Sequence, residues 1–383
     1  MDVITTSEAL GALCSQLLHD PYVTIDTEFM REQTYWPELC LIQVAGAKAQ
    51  AVIDPQAAGL DLQPFYDLLA NEQVLKVFHA ARQDIEIFFN RTGKVPKPIF
   101  DTQVAAMVCG FGDQVGYEAV VRKLAKAQID KSSRFTDWSR RPLSEKQLDY
   151  ALSDVTHLRT VYEKLKLELE ASGRASWIED EMDVLAAPAT YVSEPENAWK
   201  RIKARLRSKK QLAVLMSVSA WREREARDKN VPRGRIVKDD VLAELAIQIP
   251  QTREALGNLR ALGKGYATSR IGDGILEAVK LGLAMDPKTV PSPISEDDEV
   301  TDAQAAAAEV LKLALKILCE REGIAPKLVA NGGEIEAIAI DDNADVPALK
   351  GWRRQIFGET ALALKAGRAL IGFRDGKAAI VFE

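Results

Sequence analysis

Val23-Thr24-Ile25-Asp26-Thr27-Glu28-Phe29 opens on β-branched, apolar residues and ends on two carboxylates two positions apart. The β-branched run favours a strand, and a strand sends successive side chains to opposite faces. Asp26 and Glu28 therefore project to one side, as joint metal ligation requires. A D-x-E pair also arises by chance in an acidic chain, where it is simply a solvated strand end. The surrounding sequence has to decide between the two.

Working outward, residues 39–45, 51–53, 74–78 and 99–100 read as further strands, and residues 7–18, 62–69, 81–90, 102–109 and 144–169 carry helical spacing. This alternation predicts an α/β domain with a mixed sheet. Two more acidic positions fall within it. Asp84 lies just after the strand that ends at Phe78, inside the first helical turns, where an acid also simply favours the helix dipole. Tyr150 and Asp154 are i,i+4 neighbours on a late helix and share one face, a spacing that a structural Tyr–Asp hydrogen bond explains equally well. Taken in order, the three motifs supply four carboxylates able to offset two divalent cations and a Tyr hydroxyl able to orient water. Two metals about 3.5–4 Å apart stabilise both the attacking and the leaving oxygen of a phosphodiester displacement. Oxygen donors without Cys or His select Mg²⁺ or Mn²⁺ over Zn²⁺.

The ordered set Asp26/Glu28, Asp84, Tyr150/Asp154 is similar to the three motifs of DEDD-superfamily 3′→5′ exonucleases, in the subgroup with Tyr in the last motif. The chain more closely resembles the bacterial ribonuclease D family, through Asp26-Thr-Glu-Phe29, Thr34-Tyr-Trp-Pro37, Leu39-Cys-Leu-Ile-Gln43, Phe78-His-Ala80, Phe100-Asp-Thr102, Asp137-Trp-Ser139, Arg141-Pro-Leu143 and Tyr150-Ala-Leu-Ser-Asp154. The resemblance implies a ribonuclease H-like mixed-sheet domain followed by two small all-α bundles. It also implies a metal-dependent 3′→5′ exoribonuclease that releases 5′-mononucleotides by two-metal-ion hydrolysis, in tRNA 3′ processing, as a monomer. Asp26, Glu28 and Asp154 would hold the metal nearest the nucleophile, Asp26 would bridge to a second metal supported by Asp84, and Tyr150 would position the water. Thr27, Phe29, Tyr35, Trp36 and Leu39 are candidates for packing against the terminal nucleotides, since aromatic and apolar faces bind bases without demanding a sequence. Core packing accounts for each of them equally well. His79 joins them as a residue near the site, with a satisfied strand-end histidine as its plainer reading, and Gln43 and Asp101 serve structure nearby.

The remaining sequence divides the chain by charge. Its 383 residues are 47% hydrophobic and 28% charged, which excludes disordered, collagenous and disulfide-scaffold classes. The net charge of −6 is an average: residues 1–192 carry −9, residues 193–290 carry +8 and residues 291–383 carry −5. The predicted domains are an exonuclease domain at 1–192, a basic helical domain at 193–288, an acidic Pro-containing linker at 289–302 and a second, diverged helical domain at 303–383. The two helical domains resemble the pair that the family shares with RecQ-type helicases, more weakly beyond Ala325, where Asn331-Gly-Gly333 and Asp341-Asp342 interrupt the pattern. Helical spacing runs over residues 209–228, 238–246, 252–258, 269–281, 302–322 and 348–365.

In Lys200-Arg201-Ile202-Lys203-Ala204-Arg205-Leu206-Arg207-Ser208-Lys209-Lys210, seven of eleven residues are basic. Beside a phosphodiesterase site this stretch reads as a tether for the RNA backbone, although alone it is also a solvated face. Arg222, Arg224, Arg227, Lys229, Arg233 and Arg235 extend the positive surface, and Leu262-Gly263-Lys264-Gly265-Tyr266 is a loop able to touch a strand. Two other readings stand beside the RNA one: a 3′→5′ exonuclease acting on DNA ends, and a non-catalytic nucleic-acid adaptor. Helicase chemistry is excluded by the lack of a G-x-x-x-x-G-K-[ST] loop. The apolar segment 303–319 is interrupted by Glu309, Lys312 and Lys316, and no signal peptide is visible, so a cytoplasmic protein that does not enter membranes is expected. The four cysteines form no C-x-x-C and read as buried thiols.

Overall fold

The computed structural model describes residues 3–263, 265–292 and 301–383. The first unit runs β1 (Val3–Ile4), α1 (Ser7–Leu17), β2 (Tyr22–Met30), β3 (Glu38–Ala45), β4 (Gln50–Ile53), α2 (Gln63–Ala70), β5 (Leu75–Phe78), α3 (Arg82–Thr92), β6 (Ile99–Asp101), α4 (Thr102–Val108), the short α5 (Tyr117–Val120), α6 (Glu145–Ala171) and α7 (Glu179–Ala186). The sheet order is β1-β4-β3-β2-β5-β6, and β3 alone runs against the others. The mixed sheet matches expectation, with the two-residue β1 as an addition too short to give a sequence pattern.

β2 runs from Tyr22 through Met30, so both carboxylates lie within the strand. Asp26 pairs with Gln43 and Glu28 with Leu41, and a bulge then shifts the register between Glu28 and Phe29. Alternation along β2 assigns the faces. Val23 and Ile25 enter the core formed with α1, α2 and α3. On the opposite face the Thr24 hydroxyl donates to the Val155 carbonyl of α6 at 2.8 Å. A Ser144/Gln147 capping box starts α6. Its first turns thereby lie over the acidic end of β2.

The second unit packs α8 (Lys209–Asp228), α9 (Arg233–Ile236), α10 (Asp239–Gln248), α11 (Arg253–Gly257) and α12 (Arg270–Leu283) around Val214, Val218, Leu242, Leu245, Ile275 and Val279. A Cβ at Gly282 of α12 would stand 2.8 Å from the Val214 Cα, so glycine there lets α12 lie directly on α8. The third unit comprises α13 (Asp302–Glu322), α14 (Pro326–Val329), α15 (Gly332–Ile340), α16 (Gly351–Arg353), α17 (Glu359–Lys365), β7 (Ala369–Arg374) and β8 (Lys377–Phe382).

In this third unit one expectation changes and two gain detail. The predicted helix 348–365 starts at Gly351, which takes φ 48°, and then runs unbroken to Lys365 with a π-helical turn over Arg354–Gly358; a Cβ at Gly358 would meet the Ala348 carbonyl at 2.6 Å. Asn331 stands in the break between α14 and α15 and caps α15, its side chain accepting from the Glu334 N–H. The unit is also not all helix, because β7 and β8 form an antiparallel hairpin about Asp375 and Gly376, both at positive φ.

The third unit docks on the first. Buried Arg353 pairs with Asp180 and Glu181 at 2.6 and 2.7 Å, Trp352 stacks on Trp177 at 4.7 Å, and the Ala325 N–H donates to the Met107 carbonyl at 2.9 Å. The centre of the predicted acidic linker, including Pro293 and Glu296-Asp297-Asp298-Glu299, lies outside the described residues, as does Lys264. Among the described residues no helix is long and apolar enough to cross a membrane.

Candidate active site

Crossing α6 over β2 brings Asp26, Glu28 and Asp154 together, with one carboxylate oxygen of each within 4.8 Å of the others. The crossing is held by the Thr24 hydroxyl on the Val155 carbonyl and by the Tyr117 hydroxyl, which donates to the Asp154 carbonyl. Asp84 approaches from α3 and is not one of this trio. It is buried and accepts a hydrogen bond from the Thr27 hydroxyl, which β2 directs away from Asp26. Asp101 sets that side: it accepts from the Ala80, Ala81 and Gln103 N–H groups at 3.0, 2.8 and 2.8 Å, holding the tight turn that leads into α3. Ala80 has φ 61° in this turn.

The acids crowd into a region with little counter-charge, and their proton affinities respond. Burial, followed by the charges of Asp26, Asp154 and Asp84, pushes Glu28 up to about 10. Burial moves Asp26 up to about 7, and burial with Asp26 beside it moves Asp154 up to about 8. Burial and the Asp26 charge likewise hold Asp84 well above the usual carboxylate range. The Tyr150 phenol is raised by burial and by Asp154. Carboxylates held together at this cost are the donor set a divalent cation would relieve. All are oxygen ligands, so the residues present fit Mg²⁺ or Mn²⁺.

A cavity of about 290 Å³ opens onto Asp26, His79, Tyr117, Arg134, Tyr150 and Asp154. Tyr150 stacks on buried Trp138, with ring centres 6.2 Å apart. His79 lines the cavity, yet both its ring nitrogens have partners, Thr102 Oγ1 at 3.0 Å and the Val115 carbonyl at 3.2 Å; burial lowers its pKa. It is the satisfied strand-end histidine of the plainer reading. Gln43, opposite Asp26 on β3, is fully buried, and neither side-chain amide atom has a hydrogen-bond partner.

The candidates for nucleotide packing scatter. Thr27 is buried against Asp84, and Leu39 is buried opposite Phe29, which is itself half-buried against the core. Tyr35 is only 8% exposed and sits between the first and second units, where its hydroxyl donates to Glu223 and accepts from Arg227 and Arg233 at 3.0 and 2.9 Å. Trp36 is 39% exposed, and its N–H and that of Tyr35 both donate to Asn230 Oδ1. Neither Leu39 nor Tyr35 keeps a face free for a base, because the core and the second unit cover them.

Residues 202–207 lie outside helix and strand and alternate in burial: Ile202, Ala204 and Leu206 turn toward the second unit's core. Lys200, Arg201, Lys203, Arg205, Arg207, Lys209 and Lys210 are exposed, and Arg201 also reaches Glu223 at 3.3 Å. The wider positive surface is smaller than the sequence suggests. Arg222 is buried on the Val237 carbonyl and Asp239, Arg224 pairs with Glu196, Lys229 with Glu225, Arg227 and Arg233 with Glu223, and Arg235 donates to Gln33. Buried or crowded cations need such partners. Tyr266 packs half-buried into the second unit's core. Arg134 and Tyr117 carry no sequence motif of their own, and folding alone brings them to the cavity.

A 3′-5′ exonuclease family profile matches residues 1–170, and an HRDC domain profile matches residues 211–279. The chain is 50% identical over 377 residues to a ribonuclease D of Nitrobacter hamburgensis, covering 98% of each chain. It is 49% identical to a ribonuclease D of Granulibacter bethesdensis, covering 98% of this chain and 95% of that protein. The crystal structure of Escherichia coli RNase D, described as an exoribonuclease involved in structured RNA processing, superposes with a TM-score of 0.84 at 30% identity, covering 96% of this chain and 98% of that one.

Proposed function

The chain belongs to the ribonuclease D family of 3′→5′ exoribonucleases, and from that premise we propose that Asp26, Glu28, Asp84, Tyr150 and Asp154 are its catalytic residues. It hydrolyses phosphodiester bonds of RNA from the 3′ end. The observation that carries the site assignment is the carboxylate trio of Asp26, Glu28 and Asp154, two of which, Asp26 and Asp154, line the cavity. Two divalent ions, Mg²⁺ or Mn²⁺, are proposed there, held by Asp26, Glu28 and Asp154 and by Asp26 with Asp84. When bound, they supply the positive charge that stabilises the attacking and leaving oxygens of the displaced phosphodiester.

The residues do the rest. Asp26, Glu28 and Asp154 would release their protons as the ions bind and serve as ligands, while Asp84 is fixed by Thr27 and feels the charge of Asp26. Tyr150, clamped against Trp138, aims its hydroxyl into the cavity beside Asp154 and orients the attacking water. Attack at phosphorus breaks the bond to the 3′ oxygen of the preceding nucleotide, releasing a 5′-mononucleotide and a shortened chain with a free 3′ hydroxyl. The 1–192 domain carries this chemistry, and the exposed basic residues Lys203, Arg205 and Arg207 of the 193–288 domain hold RNA upstream. The proposed substrates are tRNA precursors and other structured RNAs with 3′ tails, acted on by a cytoplasmic monomer.

The test is a 3′-tailed RNA incubated with Mg²⁺ or Mn²⁺ and either wild type or Asp154→Ala. Stepwise shortening by the wild type, none by the variant and RNA binding by both is the expected pattern. Equal activity from the variant would remove the site assignment. A matched DNA tail run in parallel separates RNA from DNA ends.

A further inference from the structure

The cavity's electrostatics leave a question that the carboxylates do not answer. An RNA 3′ end is a polyanion, and Asp26, Glu28, Asp84 and Asp154 all repel it until cations bind. Among the residues lining the cavity, Arg134 is the sole Lys or Arg. Its guanidinium is exposed and makes no hydrogen bond or ion pair with the described residues, and its charge acts on Glu28, Tyr150 and Asp154. The next residue, Phe135, is 89% exposed, more than any other large apolar side chain among the described residues. The Arg134 guanidinium lies 5.2 Å from its ring centre.

Exposure of this kind on a loose loop would mean little, but this loop is pinned on both sides of the pair. Ser133 is buried, and its carbonyl accepts from the Thr136 hydroxyl at 2.9 Å. Gln147 of α6 donates to that same hydroxyl at 3.1 Å. Trp138 is buried against Tyr150, and Arg141 makes a two-pronged ion pair with Asp54 at the end of β4. The same α6 segment thus fixes both Tyr150 and the loop that presents Arg134 and Phe135. A fixed apolar ring left in water, beside an unpaired cation at the mouth of a phosphodiesterase cavity, is arranged to receive a nucleotide.

We propose that Arg134 and Phe135 form a clamp for the single-stranded 3′ tail, Arg134 holding the phosphodiester on the 5′ side of the scissile one and Phe135 stacking on the adjoining base. The proposal rests on the exoribonuclease reading and adds the subsite that holds the uncleaved strand. Stacking tolerates every base, so the clamp confers strand affinity without sequence preference.

Two measurements on the full chain test it. In an Asp154→Ala background, fluorescence anisotropy with a labelled single-stranded oligoribonucleotide gives affinity against salt. Arg134→Ala should weaken binding and reduce the slope of log affinity against log salt by about 0.7, the loss of one phosphate contact. Phe135→Ala should weaken binding roughly tenfold without changing the slope, and Phe135→Trp should restore it. In the otherwise wild-type enzyme both alanine variants should raise KM roughly tenfold and change kcat far less. Both residues are exposed, so thermal stability should stay at the wild-type value. Wild-type affinity and slope in both variants would overturn the clamp, as would a fall in kcat at unchanged KM, which would place Arg134 at the scissile phosphate. A wild-type enzyme that binds RNA through these residues yet fails to shorten it would overturn the exoribonuclease reading and leave the clamp standing.

Discussion

The Tyr35 hydroxyl donates to the Glu223 carboxylate, tying the loop between β2 and β3 to α8 across nearly two hundred residues of sequence. Glu223 is completely buried and is met by Arg233, Arg227 and Arg201. A buried carboxylate demands such partners, and here they come from two units at once. The catalytic sheet and the basic helical unit are therefore joined by an ionic cluster rather than by a large apolar seam.

Loss of Glu223 should be severe. Glu223→Ala leaves guanidinium groups crowded without their shared anion, and breaking a buried ion pair costs about 3–5 kcal/mol. Urea denaturation should show the loss, and Tyr35→Phe should cost less, about 1–3 kcal/mol for one hydrogen bond to a charged group. Hydrogen bonds and charge from Arg233 and Tyr35 outweigh burial and lower Glu223 from 4.5 to about 2. A depressed carboxylate contributes stability that is fully present above its unfolded value and disappears as pH falls toward its folded one. The wild type should thus lose stability between about pH 4.5 and pH 2 in excess of Glu223→Gln, as read by denaturation midpoints across that range.

The site carboxylates carry the opposite sign. Asp26, Asp154 and Glu28 are raised to about 7, 8 and 10, so the folded state holds protons that the unfolded chain has released. Without metal, these groups should make the protein less stable as pH rises from about 4 toward 10. Added Mg²⁺ or Mn²⁺ should displace the protons and raise the melting temperature, more at pH 9 than at pH 6. A metal-induced shift that stays flat with pH would detach the cation from these acids.

Glu28→Gln follows from the same crowding. It removes a carboxylate that folds without metal only by holding a proton that the unfolded chain has released at pH 8, and it keeps the shape, so metal-free stability at pH 8 should rise. Turnover should fall by on the order of a hundredfold or more, since a metal ligand is lost. Stability gained together with activity lost is the signature of a functional site held against its own electrostatics. A thermal melt and a turnover assay on the same preparation check both halves.

The legible part of this molecule was whatever leaves a local pattern. A β-branched run marks β2, a continuous apolar run marks β3, helical spacing marks α6 and α8, and the carboxylates stand in order along β2, α3 and α6. Tyr35 misleads because an aromatic beside a site looks the same whether a base or another unit covers it. The C-terminal hairpin carries an Asp375-Gly376 turn, yet β7 and β8 lie in a region otherwise dominated by helical spacing, and the turn alone does not outweigh that. Arg134 acquires meaning only when the loop before α6 folds back over the cavity, a long-range event with no periodicity to announce it.

The exposed half of the basic stretch should show in its salt response. Ile202, Ala204 and Leu206 point inward, so Lys203, Arg205 and Arg207 can be replaced by alanine without disturbing the packing. If each neutralises one phosphate, the triple variant should lose about 2 from the slope of log RNA affinity against log salt. An unchanged slope would return these cations to the role of a solvated face.

Tyr150 separates positioning from charge. Its ring is stacked on Trp138 and its hydroxyl faces the cavity beside Asp154, so Tyr150→Phe keeps the packing and all four acids while removing one orienting hydroxyl. The expected result is a kcat reduced roughly tenfold to a hundredfold, with KM and the metal-induced melting shift retained. Asp154→Ala should lose the metal-induced shift along with turnover. Tyr150→Ala should do worse than Tyr150→Phe, because the ring that braces Trp138 also braces the loop presenting Arg134 and Phe135; its KM for a single-stranded tail should rise as well. A Tyr150→Phe variant as inactive as Asp154→Ala would mean that the phenol takes part in proton transfer rather than in positioning.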